Sequence, residues 1–161
     1  MLRRALLRWP RLFVRIHDPD DAELGILGER VAAAHLRARG LRIVGRRVRS
    51  RDGEIDLVAR APRGLVLVEV KTGRVESLPR RRGAPHAPRA APRWRPGGRL
   101  DARRLARLQR TARELEARVD LVEVLLELPS RRFRVLHHPG ARLPGRAGAP
   151  FTPDGPPSDL W

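Results

Sequence analysis

Residues 53–71 read GEIDLVARAPRGLVLVEVK, and this stretch carries the clearest structural signal in the chain. Its two halves, 54–60 and 65–71, are rich in aliphatic and β-branched residues. In each half, two alternating sets of residues would face opposite sides of the chain, which is typical of strands. The link at 61–64 contains proline and glycine, the residues that favour a tight turn. The stretch therefore predicts a β-hairpin.

The charged residues of this hairpin form the candidate site. Residues two apart in a strand share a face, so Glu69 and Lys71 project together at the end of an otherwise apolar strand face. Asp56 lies on the preceding strand, within reach of Glu69 across the hairpin. Two carboxylates, a backbone carbonyl and waters suit Mg²⁺ or Mn²⁺. Such a site would activate a water for attack on a phosphate, with Lys71 orienting or deprotonating that water.

The residues alone leave two interpretations open. One is this metal-dependent phosphodiesterase site, and the other is a hairpin with a surface Glu69–Lys71 ion pair contributing less than about 1 kcal/mol. Lys71 is the only lysine among 35 basic residues. A lysine can lose its proton, whereas an arginine stays charged, so this exception points to position 71.

The flanking sequence predicts a single α/β domain over 21–138. Apolar residues at helical spacing predict two helices, and alternating segments predict three further strands. The helices span 21–39 and 100–118, and these strands span 41–48, 119–128 and 131–137. The order is therefore α-β-β-β-α-β-β around a mixed central sheet. The second helix would cross one face of the sheet between the third and fourth strands.

Three segments outside these helices and strands contain no run of apolar residues that a core could bury. Residues 1–20 form a basic N-terminal arm that we expect to be flexible. The Arg/Pro-rich insert at 73–98 and the Gly/Pro-rich tail at 139–161 have the composition of disordered chain.

The amino-acid composition narrows the possible partners and chemistries further. The net charge of +17 makes nucleic acid the first partner to consider. Much of the excess lies in the flexible segments, however; residues 74–99 hold eight arginines against Glu76. The absence of cysteine excludes disulfides, thiolate zinc sites and cysteine nucleophiles, and fits a cytoplasmic location. No run approaches the ~20 apolar residues that cross a bilayer, so we expect no membrane span.

The histidines and the remaining strand acids favour structural roles. His137 and His138 are neighbours in a strand and face opposite ways, so they are not expected to bind one ion together. His35, on the first helix, is expected at the boundary between core and surface. Asp120 and Glu123 are expected to flank a strand, where they would cap it or face solvent.

Three motifs carry a family resemblance. The segments LGERVAAAHLRARG (27–40), GEIDLVAR (53–60) and LVLVEVKT (65–72) resemble the YraN-like family of small bacterial proteins. That family is assigned by similarity to the PD-(D/E)XK nuclease superfamily. The resemblance covers residues 23–72 closely and 100–137 loosely, and it implies a restriction-endonuclease-like fold.

The resemblance also implies roles for individual residues. Asp56 and Glu69 would be the metal ligands and Lys71 the catalytic lysine of an endonuclease acting on DNA. Glu29, on the first helix, would be an additional catalytic acid that faces the site. Glu54 matches the motif, and its role stays open.

The chain departs from the family in its second helix. That helix typically opens with a lysine near the substrate, where this chain has Arg103 and Arg104; these two would contact nucleic acid. Many nucleases of the superfamily act as dimers, so a homodimer is a further expectation. The alternative function is a non-catalytic nucleic-acid-binding or adaptor module that retains the fold.

Overall fold

The structure, a computed structural model, describes residues 2–76 and 102–141. It contains four helices and five strands in these ranges. The elements are α1 (Leu2–Leu6), α2 (Pro10–Ile16), α3 (Asp21–Ala38), β1 (Arg42–Ser50), β2 (Gly53–Ala61), β3 (Gly64–Val75), α4 (Ala102–Glu114), β4 (Arg118–Glu127) and β5 (Arg132–His138). Residues 77–98 of the predicted insert and 142–161 of the predicted tail lie outside the described ranges.

The five strands form one mixed sheet in the order β1-β2-β3-β4-β5. Neighbouring strands are antiparallel except β3 and β4, which are parallel. The hairpin predicted at 61–64 is confirmed, because Ala61 pairs with Gly64 and Leu57 with Val68. The mixed sheet and the helix between two parallel strands are confirmed as well.

The two faces of the sheet are covered by different helices, which gives a layered α/β arrangement. Ala33 and Leu36 of α3 pack on one face, in a cluster with Leu57, Val68, Val122 and Val135. Leu105 and Leu108 of α4 pack in a second cluster with Ile55, Leu67 and Val119. The helix α3 begins at a capping box formed by Asp20 and Glu23.

The ends of two elements differ from the sequence prediction. The strand β3 continues to Val75, so the first residues of the predicted insert pair with 125–127 of β4. The helix α4 ends at Glu114 rather than 118. Glu116 has a positive φ of 50°, and the amide of Ala117 donates to the carbonyl of Ala112, as in a helix C-terminal motif.

The N-terminal segment differs from the flexible arm expected for residues 1–20. Residues 2–16 form the helices α1 and α2, and Phe13 and Val14 are fully buried. They pack in a cluster with Leu27 of α3 and Leu126 of β4. The arginines of this segment interrupt its apolar residues in sequence, but the fold buries Leu7, Phe13 and Val14 while Leu12 and Ile16 stay exposed.

No helix in the two described ranges is long and apolar enough to cross a membrane.

A close contact between α3 and β3 supports a stability prediction. A Cβ atom on Gly28 would lie 1.9 Å from Oγ1 of Thr72. We expect Gly28→Ala to lower the free energy of unfolding by about 1–3 kcal/mol, because the helix must move away from the strand. Gly25→Ala, on the same helix, has no atom within 4 Å of its Cβ and is the matched control.

Urea denaturation of both variants measures this difference. The control is expected to be neutral or to gain up to about 1 kcal/mol from helix propensity. Equal stabilities for the two variants would show that α3 does not depend on close packing at Gly28.

Candidate functional site

The candidate site begins where the pairing of β2 with β3 ends. The last paired residues are Leu57 and Val68. Beyond them, the amide of Val70 donates to Oδ2 of Asp56 at 2.7 Å. A side-chain carboxylate thus takes the place of a backbone carbonyl, and this contact ties the position of Asp56 to the backbone of β3.

Arg104 joins the two buried carboxylates. Asp56 is 7% exposed and Glu69 is 2% exposed. Nη2 of Arg104 donates to Oδ1 of Asp56 at 2.7 Å, and its Nε donates to Oε2 of Glu69 at 2.8 Å. One guanidinium from α4 therefore lies between the carboxylates of two neighbouring strands, the position that a cationic ligand of both would take.

Lys71 contacts the other carboxylate oxygen of Glu69. Its Nζ is 2.7 Å from Oε1 of Glu69, and its side chain is 22% exposed. That oxygen has no partner in hydrogen-bond geometry, so the contact is an ion pair rather than a directed hydrogen bond. The predicted convergence of Asp56, Glu69 and Lys71 is what the geometry shows.

Burial and neighbouring charges shift the pKa of Asp56. Burial, and then the charge of Glu69, raise the pKa of Asp56 to about 6. The Val70 amide and Arg104 act in the opposite direction. Ionisation of Asp56 in a buried place beside Glu69 is costly, and a divalent ion held by both side chains would reduce this cost.

Glu29 opens onto the same site. A polar cavity of about 560 Å³ is lined by residues that include Glu29, Asp56, Thr72 and Arg104. Glu29 is half-buried, and burial raises its pKa against the opposing charges of the nearby arginines. A third carboxyl group therefore faces the cavity, as the family resemblance implies.

Glu54 and Arg103 stand further from the carboxylate pair. Glu54 is exposed and accepts a hydrogen bond of 3.1 Å from Nε of Arg47. It shares a smaller cavity of about 220 Å³ with Glu69 and Arg104. Arg103 is exposed on α4 and is not among the described residues that line either cavity.

The contact of Arg104 with both carboxylates is the part of the site that sequence reasoning missed. The sequence predicts that Arg104 contacts nucleic acid. In the structure, its guanidinium binds Asp56 and Glu69. The sequence contained a signal for this contact. Leu108 belongs to the buried stripe of α4, and Arg104 lies one helical turn before it, on the same side of the helix, which faces the sheet.

The histidines of β5 are confirmed to face different partners. Nε2 of His137 is 2.9 Å from Oδ2 of Asp120, and Nε2 of His138 is 2.9 Å from Oε2 of Glu123. The expectation that these two acids are solvated was wrong, since both are buried. Their histidine partners satisfy them inside the sheet.

Within the described ranges, no three His, Cys, Asp or Glu residues cluster closely enough to hold a metal.

Comparisons with known proteins place the chain in a family. The model of an uncharacterised protein family, UPF0102, matches residues 28–124, a range that contains every residue of the carboxylate site. A UPF0102 protein of Symbiobacterium thermophilum is 45% identical over 101 residues, which cover 63% of this chain and 80% of the relative.

Two further relatives match over shorter stretches. The chain is 60% identical to a UPF0102 protein of Rhizorhabdus wittichii over 48 residues, 30% of this chain and 41% of that protein. It is 49% identical to one of Pelobacter propionicus over 61 residues, 37% of this chain and 44% of that protein. In both, the match spans less than half the length of the relative. As the resemblance to YraN-like proteins predicts, the chain belongs to the uncharacterised protein family UPF0102.

Proposed function

We propose that this chain is a metal-dependent endonuclease of the PD-(D/E)XK superfamily that hydrolyses phosphodiester bonds in DNA. The observation that carries the proposal is the arrangement of Asp56, Glu69 and Lys71 around one cationic position. The layered α/β fold supports it, because α3 to β5 follow the element order expected of a restriction-endonuclease-like core.

The donor set fits Mg²⁺ or Mn²⁺. Asp56 and Glu69 supply two carboxylates, and backbone carbonyls and waters would complete a shell of oxygen ligands. The raised pKa of Asp56 indicates that the pair gains from added positive charge. When bound, such an ion supplies Lewis-acid polarisation of the scissile phosphate and a lowered pKa for a bound water.

Lys71 provides the proton chemistry in this proposal. Its ammonium lies 2.7 Å from Glu69 and is partly open to solvent. As an ammonium it can orient the attacking water through a donated hydrogen bond, and in its neutral amine form it could take the proton of that water at Nζ. It also offsets the negative charge that develops on the phosphate.

Arg104 has two roles that depend on the occupancy of the site. Without a divalent ion, its guanidinium neutralises Asp56 and Glu69. If those carboxylates held a divalent ion, the guanidinium would no longer be needed to neutralise them, and it could hold a DNA phosphate through two parallel hydrogen bonds. This second role is the one that the sequence predicts.

One observation favours the alternative of a non-catalytic nucleic-acid-binding or adaptor module. Arg104 and Lys71 already balance the charges of Asp56 and Glu69. A site that is neutral without a metal is compatible with a purely structural cluster. The two functions therefore differ in whether divalent ions enter the site.

A cleavage assay separates the two functions. The full-length protein is incubated with linear, nicked and branched DNA in Mg²⁺, in Mn²⁺ or in EDTA. We expect cleavage of at least one substrate with either ion and none in EDTA. Asp56→Ala, purified in the same way, is the control for contaminating nuclease and is expected to be inactive.

Two outcomes would contradict the proposal. Equal cleavage by Asp56→Ala would assign the activity to a contaminant or to another site. Binding without cleavage, with the affinity and salt dependence unchanged in Asp56→Ala, would support the non-catalytic alternative, because basic residues elsewhere would supply the phosphate contacts.

A further inference from the structure

A second, larger cavity has a different chemistry from the carboxylate site. It has a volume of about 790 Å³ and is lined by residues of α2, α3, β1, β5 and the turn between α1 and α2. Trp9, Leu12, Val31 and Val135 are among its apolar lining residues. Its basic lining residues are Arg8, Arg11, Arg30, Arg37 and Arg46. No acidic residue is among the described residues that line this cavity, so it selects for an anionic ligand.

The aromatic residue of this cavity is unusually open. Trp9 is 56% exposed, and Leu12 beside it is 43% exposed. The guanidinium of Arg8 lies over the indole, 5.9 Å from its centroid, and the rest of the exposed ring is a surface on which a planar ring can stack. The same arrangement places cationic groups around the stacked ring.

His35 gives the second, independent indication of a ligand. It lines the cavity, is 3% exposed, and neither ring nitrogen has a hydrogen-bond partner among the described residues. Burial, followed by the charges of Arg39 and His137, lowers the pKa of His35 to about 4, so the ring is neutral at neutral pH. A neutral imidazole offers one donor and one acceptor, the combination that the edge of a nucleobase can meet.

We propose that this cavity binds a single strand of nucleic acid, with Trp9 as the stacking platform, His35 as the contact to a base edge and the surrounding arginines as phosphate contacts. The choice of nucleic acid as the ligand rests on the proposed function, whereas the shape and charge of the site stand independently of it.

Two neighbouring arginines of β1 connect this cavity with the carboxylate site. Arg46 lines the cavity, and the next residue, Arg47, binds Glu54, which shares the smaller cavity with Glu69. Both arginines act electrostatically on Glu29. A strand that left the cavity past Arg46 would therefore pass Arg47 before it reached the proposed site of cleavage.

The shape of the cavity favours a nucleic-acid strand over a membrane surface. A helix that lies on a bilayer presents a convex apolar face to the lipid. Here the apolar surface is concave, and a buried polar ring without a hydrogen-bond partner forms part of its lining. A base fits such a site, because ligand cavities combine apolar walls with a few placed polar groups.

Fluorescence anisotropy with a labelled single-stranded DNA of about 15 nucleotides tests the inference, since site sizes reach about 16 nucleotides. The full-length protein is used in EDTA, so that cleavage does not interfere. Trp9→Ala is expected to weaken binding about tenfold or more, and Trp9→Phe to keep most of the affinity. Arg63→Ala, an exposed arginine of the β2–β3 turn, is the matched control and should change little.

The salt dependence tests the phosphate contacts. A variant that combines Arg30→Ala with Arg37→Ala should lower the slope of log affinity against log salt by about 0.7 for each arginine. His35→Leu should weaken binding while its melting temperature stays the same or rises, because the substitution removes a buried polar group that has no partner. A melting temperature that falls would contradict the claim that the imidazole is unsatisfied without ligand.

Three results would overturn the inference. The first is unchanged affinity in Trp9→Ala, and the second is an equal loss in Arg63→Ala and in the cavity variants. The third is a loss of binding to anionic phospholipid vesicles, but not to DNA, in Trp9→Ala. Binding in EDTA does not require cleavage, so a failed cleavage assay leaves the inference standing, and cleavage with unchanged Trp9→Ala binding refutes only the inference.

Discussion

Replacing Lys71 by arginine is expected to lower the rate of metal-dependent DNA cleavage by roughly 100- to 10,000-fold, although the charge is conserved. The Nζ atom lies 2.7 Å from Glu69 in a partly buried position. A guanidinium is larger, planar and permanently charged, so it cannot exchange a proton with the attacking water. Arg104 already occupies the space on the other side of Glu69.

Single-turnover kinetics with protein in excess of DNA measures this effect on the chemical step. Arg63→Lys makes the reverse exchange at an exposed turn and is expected to leave the rate unchanged. Circular dichroism and DNA binding should be the same for both variants. A rate for Lys71→Arg within about threefold of the wild type would show that Lys71 contributes only charge, which would remove it from the proton chemistry.

The second large effect concerns stability rather than rate. Arg104→Ala leaves the buried carboxylates of Asp56 and Glu69 without their shared cation. In EDTA, we expect the free energy of unfolding to fall by about 2 kcal/mol, less than for a fully buried pair because Arg104 is 36% exposed. Mg²⁺ should restore the loss by binding the two carboxylates. The variant should therefore gain more from Mg²⁺ than the wild type, in which the ion must displace the guanidinium.

Urea denaturation in EDTA and in millimolar Mg²⁺ gives the two free energies for each protein. Arg113→Ala, an exposed arginine in the last turn of the same helix, is the control for loss of charge on α4. Its stability is expected to be independent of Mg²⁺. If Arg104→Ala is destabilised and Mg²⁺ does not restore it, Asp56 and Glu69 do not hold a divalent ion, and the metal-dependent function fails with them.

The elements of the sheet follow from the sequence because their signals are local. Alternation in residues 53–71 predicts both strands of the hairpin, and the short turn fixes their register. Residues 73–75 fall in the predicted insert because 73–98 is rich in Arg, Pro, Gly and Ala and shows no periodicity. Their strand structure depends on pairing with 125–127 of β4, which lies about 50 residues further along the chain and leaves no trace in the local pattern.

The N-terminal helices could not be predicted for a related reason. Phe13 and Val14 stand among arginines, and their burial depends on Leu27 and Leu126, which belong to other elements. A short basic segment without a long apolar stripe has the composition of a flexible arm. Only the tertiary fold shows that this segment covers one end of the core.

The candidate site was predictable where it depends on one hairpin. Asp56, Glu69 and Lys71 come together because strand geometry places them on neighbouring strands and one face. Arg104 reaches the same carboxylates from a helix that is 35 residues beyond Glu69, and sequence spacing gives no distance across such a separation. His35 was expected at a boundary, but its burial depends on packing against β5, including an edge contact with His137.

The hydrogen bond from the Val70 amide to Asp56 makes one backbone proton an internal reporter of the site. In most of a sheet, an amide proton meets a neutral carbonyl, whereas this one meets a carboxylate. The resonance of that proton in an NMR spectrum therefore depends on the charge and the ligation of Asp56. A single backbone signal would register protonation or cation entry at the centre of the protein, without a substrate and without a chemical label.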